Sequence, residues 1–95
     1  MKPDPMMNAR VFNPSVLKVG AAVKIKKGVR KLEKENELLS IIDANGGSIA
    51  GVVKRLNDKR MPTAVDILIV PNGKIGMYRI HAADVVANVV DLEVL

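Results

Sequence analysis

The chain has no cysteine, no tryptophan, one histidine and only two aromatic residues, Phe12 and Tyr78, among 95. Without cysteine there is no disulfide, no thiolate metal site and no cysteine nucleophile, a composition that suits a reducing compartment. His81 is the single imidazole, and the sequence around it lacks the carboxylate cluster a metal site would need, so no metal ligand is assigned. No apolar run approaches the roughly 18 residues of a membrane helix, so no membrane partner is expected. The opening MKPDPMMNARVFNPS lacks the unbroken apolar core of a signal peptide and carries three prolines, so residues 1 to 15 are expected as an extended arm in a cytoplasmic protein. Asp43, Asp58, Asp66, Asp84, Asp91 and Glu93 show no catalytic spacing, and Gly46-Gly47 and Gly73-Lys74 lack a P-loop context. Neither enzyme activity, a cofactor nor a small-molecule substrate is expected.

What is present is aliphatic and β-branched. The strongest local signal is AVDILIVPNGKIGMYRI, residues 64 to 80, where two apolar runs flank Asn72-Gly73, the pair that supplies both positive-φ positions of a type I′ turn. Strands are predicted at about 64 to 70 and 74 to 81. Residues 16 to 27 alternate, with Val19, Ala21, Val23 and Ile25 on one face and Lys18, Lys24 and Lys26 on the other, which is a half-buried strand. Residues 29 to 45 are rich in helix formers and place Leu38, Ile41 and Ile42 at helical spacing, so a helix over about 30 to 44 is expected, stopped by Asn45 and Gly46. Residues 48 to 58 fit a strand better than a second helix, because Gly51 and paired valines disfavour helix. A short turn or 3₁₀ corner at 81 to 84 then leads to a last strand over 85 to 95, a helix across 82 to 90 being the alternative. Residues 16 to 95 are one domain, mainly β with a helical insertion.

The segments LKVGAAVKIKKG, GSIAGVVKRL and KIGMYRIHAADV resemble the first strand, the second strand, and the fourth strand with its corner, of SH3-like barrels of the KOW type. The resemblance covers roughly residues 17 to 95 and implies a closed five-stranded barrel. Residues 29 to 46 stand where KOW domains have a short glycine-containing loop. By resemblance, such a barrel would bind RNA or DNA through the backbone, as in transcription and translation factors.

The charge of +5 is unevenly spread: residues 18 to 60 carry eleven basic and five acidic side chains, residues 61 to 95 two basic and four acidic. If the first two strands are neighbours, Lys24, Lys26, Lys27, Lys54 and Arg55, with Lys59 and Arg60 in the following loop, form one basic stripe able to follow phosphates, with Lys74, Tyr78 and Arg79 added from the hairpin. The leading reading, to which nucleic-acid binding is the alternative, is a protein-interaction or self-assembly module, such as a viral or phage structural or accessory protein associated with the virion, contacting subunits through Val11, Phe12, Leu38, Ile41 and Leu95. Phe12 could instead plug one end of the core. A third reading is a winged-helix or helix-turn-helix DNA binder built from residues 31 to 60.

Overall fold

A computed structural model of the chain describes residues 7, 8, 10–30, 36–69 and 75–95. Two short strands, β1 (Met7–Asn8) and β2 (Val11–Phe12), form a small antiparallel ribbon. The main sheet comprises β3 (Ala22–Lys27), β4 (Ser48–Leu56), β5 (Ala64–Ile69), β6 (Gly76–His81) and β7 (Val90–Val94), with α1 (Glu37–Ala44) between β3 and β4 and α2 (Ala82–Val86) between β6 and β7. Strand order is β6-β5-β4-β3-β7, antiparallel throughout. No helix among the described residues is long and apolar enough to cross a membrane.

Period-2 alternation sends one side chain in two to a single aliphatic core. Val23, Ile25, Ile49, Val53, Val65, Ile67, Ile69, Ile80, Val90 and Leu92 face Leu38, Leu39 and Ile42 of α1, together with Phe12, Leu17 and Val85. Phe12 is fully buried, and its amide donates to the Pro62 carbonyl at 2.7 Å, so it plugs the core of its own chain.

The predicted barrel is not closed. The edge strands β6 and β7 do not pair; α2 packs against both of them, while α1 packs on β3 and β4. The predicted first strand is also shorter than its alternation suggests. The Asn13 carbonyl accepts from the amides of Val16 and Leu17, and its side chain from Ser15, a turn that Pro14 favours. A second turn follows, in which the Ala21 amide donates to the Lys18 carbonyl with Gly20 at φ 93°, so strand geometry begins only at Ala22, and Val19, expected inside, is 62% exposed. The helix starts later than residue 30 because Asn36 is extended (φ −124°, ψ 123°) and caps it, accepting from the Leu39 amide at 3.2 Å. Residues 31–35 of that prediction, and the Asn72-Gly73 turn, lie outside the described residues. Gly46 (φ 81°) and Gly47 (φ 98°) provide the left-handed stop, the Gly47 amide bonding back to the Ile42 carbonyl. Residues 48–56 are a strand, so a helix-turn-helix over 31 to 60 lacks its second helix. The corner after β6 is an α-helical segment rather than a 3₁₀ turn, ended by Asn88 at φ 61°, and β7 begins only at Val90.

β4 is the central strand, and Gly51 lies close against its neighbour β5. A Cβ built on Gly51 would sit 2.5 Å from Ile67 Cγ2, 2.8 Å from Ile69 Cγ2 and 3.0 Å from the Leu68 carbonyl oxygen. These neighbours are stiff β-branched side chains and backbone, with little room to yield. Gly51→Ala is therefore expected to destabilise the fold by about 1–3 kcal/mol through overpacking, seen as a lowered urea midpoint with unchanged slope.

Candidate functional site

The register across the five strands fixes what the outer face, opposite the core, displays. Met77 on β6 pairs with Leu68 on β5, Leu68 with Val52 on β4, and Val52 with Ala22 on β3, while the Leu95 amide donates to the Ala22 carbonyl at 3.0 Å. One row of five apolar side chains thus crosses the whole sheet. It is open to solvent: Val52 is 38%, Met77 54% and Leu95 69% exposed. Four of its members, Ala22, Val52, Leu68 and Leu95, line a shallow depression of about 600 Å³ together with Ser48 and Ala50.

Ion pairs rim this row on both sides. Toward β7, Lys24 stands across from Glu93, and Lys26 Nζ lies 3.2 Å from Glu93 Oε2. On the other side, Asp66 of β5 sits between Arg55 of β4 and Arg79 of β6. Arg55 Nε donates to Asp66 Oδ2 at 3.0 Å, its Nη2 lies 2.9 Å from the same oxygen, and Arg79 donates from Nε to Oδ1 at 2.9 Å and from Nη2 to Oδ2 at 3.3 Å. Asp66 is the one buried charged residue among those described. Arg79's hydrogen bonds hold its carboxyl below the usual aspartate range; burial opposes this and Arg55 adds to it.

Arg55 reaches this position through a β-bulge. Residues 49, 51 and 53 face the core, and strict alternation would send residue 55 inward as well. The register instead shifts between Val53 and Arg55, which puts Arg55 opposite Asp66 and Leu56 opposite Val65. Lys54 is the extra residue and is exposed.

The basic stripe expected from sequence is interrupted. Lys24, Lys26 and Arg55 share the outer face with Arg79, but Lys27 follows Val23 and Ile25 to the helix side, its Nζ 3.0 Å from Asp43 Oδ2 of α1. Lys59 and Arg60 are exposed in the loop after β4. That loop is shaped by Asp58, whose Oδ1 accepts from the amides of Arg60 and Met61, bonds that lower its pKa, with Met61's the larger effect. Tyr78 does not join Arg79 in a stacking surface, since adjacent strand residues face opposite ways. Its hydroxyl donates to Glu37 Oε1 at 3.2 Å on the core side, and partial burial, with Glu37's help, raises its pKa. There Tyr78, Leu38, Leu39, Ile80, Val89 and Val90 line a cleft of about 350 Å³ between the unpaired edges. Lys74 lies outside the described residues.

Of the expected contact residues, Phe12 and Leu38 are core, Val11 and Ile41 are half-buried, and only Leu95 joins the exposed row. Sequence reasoning missed Ala22, Val52, Leu68 and Met77. The signal was the strand parity that fixed the core: these residues occupy the complementary positions. Among the described residues no three His, Asp or Glu side chains gather as a metal site would require. Compared with known proteins, the chain matches no family model, no curated protein and no solved structure at a significant level.

Two stability experiments test the triad. Arg79→Ala leaves the buried carboxylate with one partner and is expected to cost about 1–3 kcal/mol. Asp66→Asn should cost less, because the arginines it releases, with side chains 70% and 48% exposed, can hydrate. A lowered native pKa contributes stability above the ordinary aspartate value of about 3.9, and that stability is lost as pH falls through the native value. The melting temperature should therefore fall on acidification from about pH 5 to about pH 2, and Asp66→Asn should show a shallower decline in thermal melts.

Proposed function

We propose that this chain is a non-catalytic protein-interaction module that docks a partner on the outer face of its sheet. The supporting observation is the exposed row Met77–Leu68–Val52–Ala22–Leu95 with ion pairs on both flanks, since an apolar centre within a polar rim is the anatomy of a protein interface. The five strands, hairpin and helical corner before the last strand also support kinship with SH3-like barrels of the KOW type, in a version whose sheet stays open.

A second reading rests on Lys54, Lys59 and Arg60, which form no ion pair among the described residues and cluster at one end of β4. They favour contact with a nucleic-acid backbone there.

Site-specific photocrosslinking in the native host separates the two. A benzophenone side chain at Val52 or at Met77 is expected to trap the same single protein, and one at Asp43, on the opposite side, to trap none. The reading fails if purified chain binds a 20-nucleotide strand with a steep salt dependence that vanishes on reversing the charges of Lys54, Lys59 and Arg60 while Val52→Lys leaves it intact.

A further inference from the structure

We infer that the outer face receives an amphipathic α-helix of a partner protein whose one flank is lined with carboxylates. This rests on reading that face as a docking surface, and adds the chemistry of the occupant.

The first argument concerns backbone groups. The face of a sheet presents side chains, because its amides and carbonyls are spent between strands. An extended segment laid across it would bury its own polar backbone without partners, whereas a helix satisfies its backbone internally. The row crosses four inter-strand spacings, about 19 Å, which matches a helix of about 13 residues.

The second argument is charge complementarity. The rim at β3 and β7 is balanced, with Lys24 and Lys26 facing Asp91 and Glu93. The rim at β4 to β6 is not: two arginines share the single carboxylate of Asp66, with Lys54 exposed on the same strand. Each guanidinium has five N–H donors, and Arg55 and Arg79 each direct Nε and one Nη at Asp66. The remaining donors sit on side chains that are 70% and 48% exposed. Asp66 thus fixes the orientation of two cations without exhausting them. Arg79 and Asp66 lie two residues along their strands from Met77 and Leu68, about 7 Å, a distance that the shoulder of a helix about 10 Å wide spans. An apolar stripe seated on the row would carry glutamates or aspartates on one flank into bidentate reach of Arg55 and Arg79.

A second copy of this chain does not supply that helix among its described residues. Leu38, Leu39 and Ile42 of α1 are buried in its own core, and α2 has five residues. A polyanion finds no aromatic platform on this face, because Tyr78 points to the other side.

The probe is a fluorescein-labelled, lactam-stapled 14-residue helix with leucines along one face and glutamates on one flank, paired with a glutamine version of identical apolar face. Fluorescence anisotropy with the full chain is expected to give at least about tenfold tighter binding of the glutamate peptide, the scale of one good charge-assisted contact. Val52→Lys and Met77→Lys, both at exposed positions, should each weaken both peptides about tenfold or more. Equal affinity of the two peptides overturns the acidic flank and leaves the docking face standing. Insensitivity to both lysine variants overturns the face itself. A dimer in light scattering that Val52→Lys dissociates, or displacement of the peptide by a 20-nucleotide strand, assigns the face to another occupant and overturns the inference.

Discussion

The molecule depends on the residue inserted in β4. An aliphatic core built from valine, isoleucine and leucine cannot accept an unpaired guanidinium, yet unbroken alternation along β4 would deliver Arg55 into it. The bulge at Lys54 removes that conflict in a single step. Before it, Ile49, Gly51 and Val53 serve the core; after it, Leu56 does, and Arg55 lies on the opposite face beside Asp66. The same shift adds local twist to the strand at the centre of the sheet, next to the place where Gly51 admits the side chains of Ile67 and Ile69. Core, coiling and outer-face electrostatics thus meet within five residues.

The two faces of the sheet follow different rules. Inside, stability comes from burial, and the polar atoms that approach, such as the Tyr78 hydroxyl, are held by one partner at the margin. Outside, charge is organised by pairing: Lys26 with Glu93, and Arg55 and Arg79 with Asp66. The surplus of positive charge visible in the composition is therefore smaller on this face than a count of lysines and arginines implies. The centre of the face between these paired charges is apolar, which is why the face reads as a protein-docking surface in our proposal rather than as a phosphate track.

Much of the strand pattern was legible because β-branched residues at period 2 report both extended geometry and the buried face. Strands β4, β5 and β6 fall near their expected places, and the glycine stop after α1 is where Asn45 and Gly46 put it. The errors lie where local backbone geometry outweighs periodicity: the successive turns at Asn13 and Lys18 that delay β3, the Asn36 cap that delays α1, and the left-handed Asn88 that ends α2. Closure of the sheet was not legible, since it depends on whether β6 and β7 meet or are kept apart by α2, a matter of packing between distant segments. The candidate site was half legible. Each basic residue could be named, but the sign of a surface depends on partners: Asp66 is found by Arg55 only across a register shift, and Lys27 leaves the stripe by parity alone.

The scarcity of aromatic residues has an optical consequence. With no tryptophan and one tyrosine, the ultraviolet emission of this protein is the emission of Tyr78, and that ring sits where β6 meets the first turn of α1, hydrogen-bonded to Glu37. A carboxylate acceptor on a phenol hydroxyl alters its emission, so the chain carries its own reporter at the opening between the two unpaired edges of the sheet. Tyr78 is placed on the side opposite the apolar row, so its signal follows the seating of α1 on the sheet without being touched by whatever lies on the outer face.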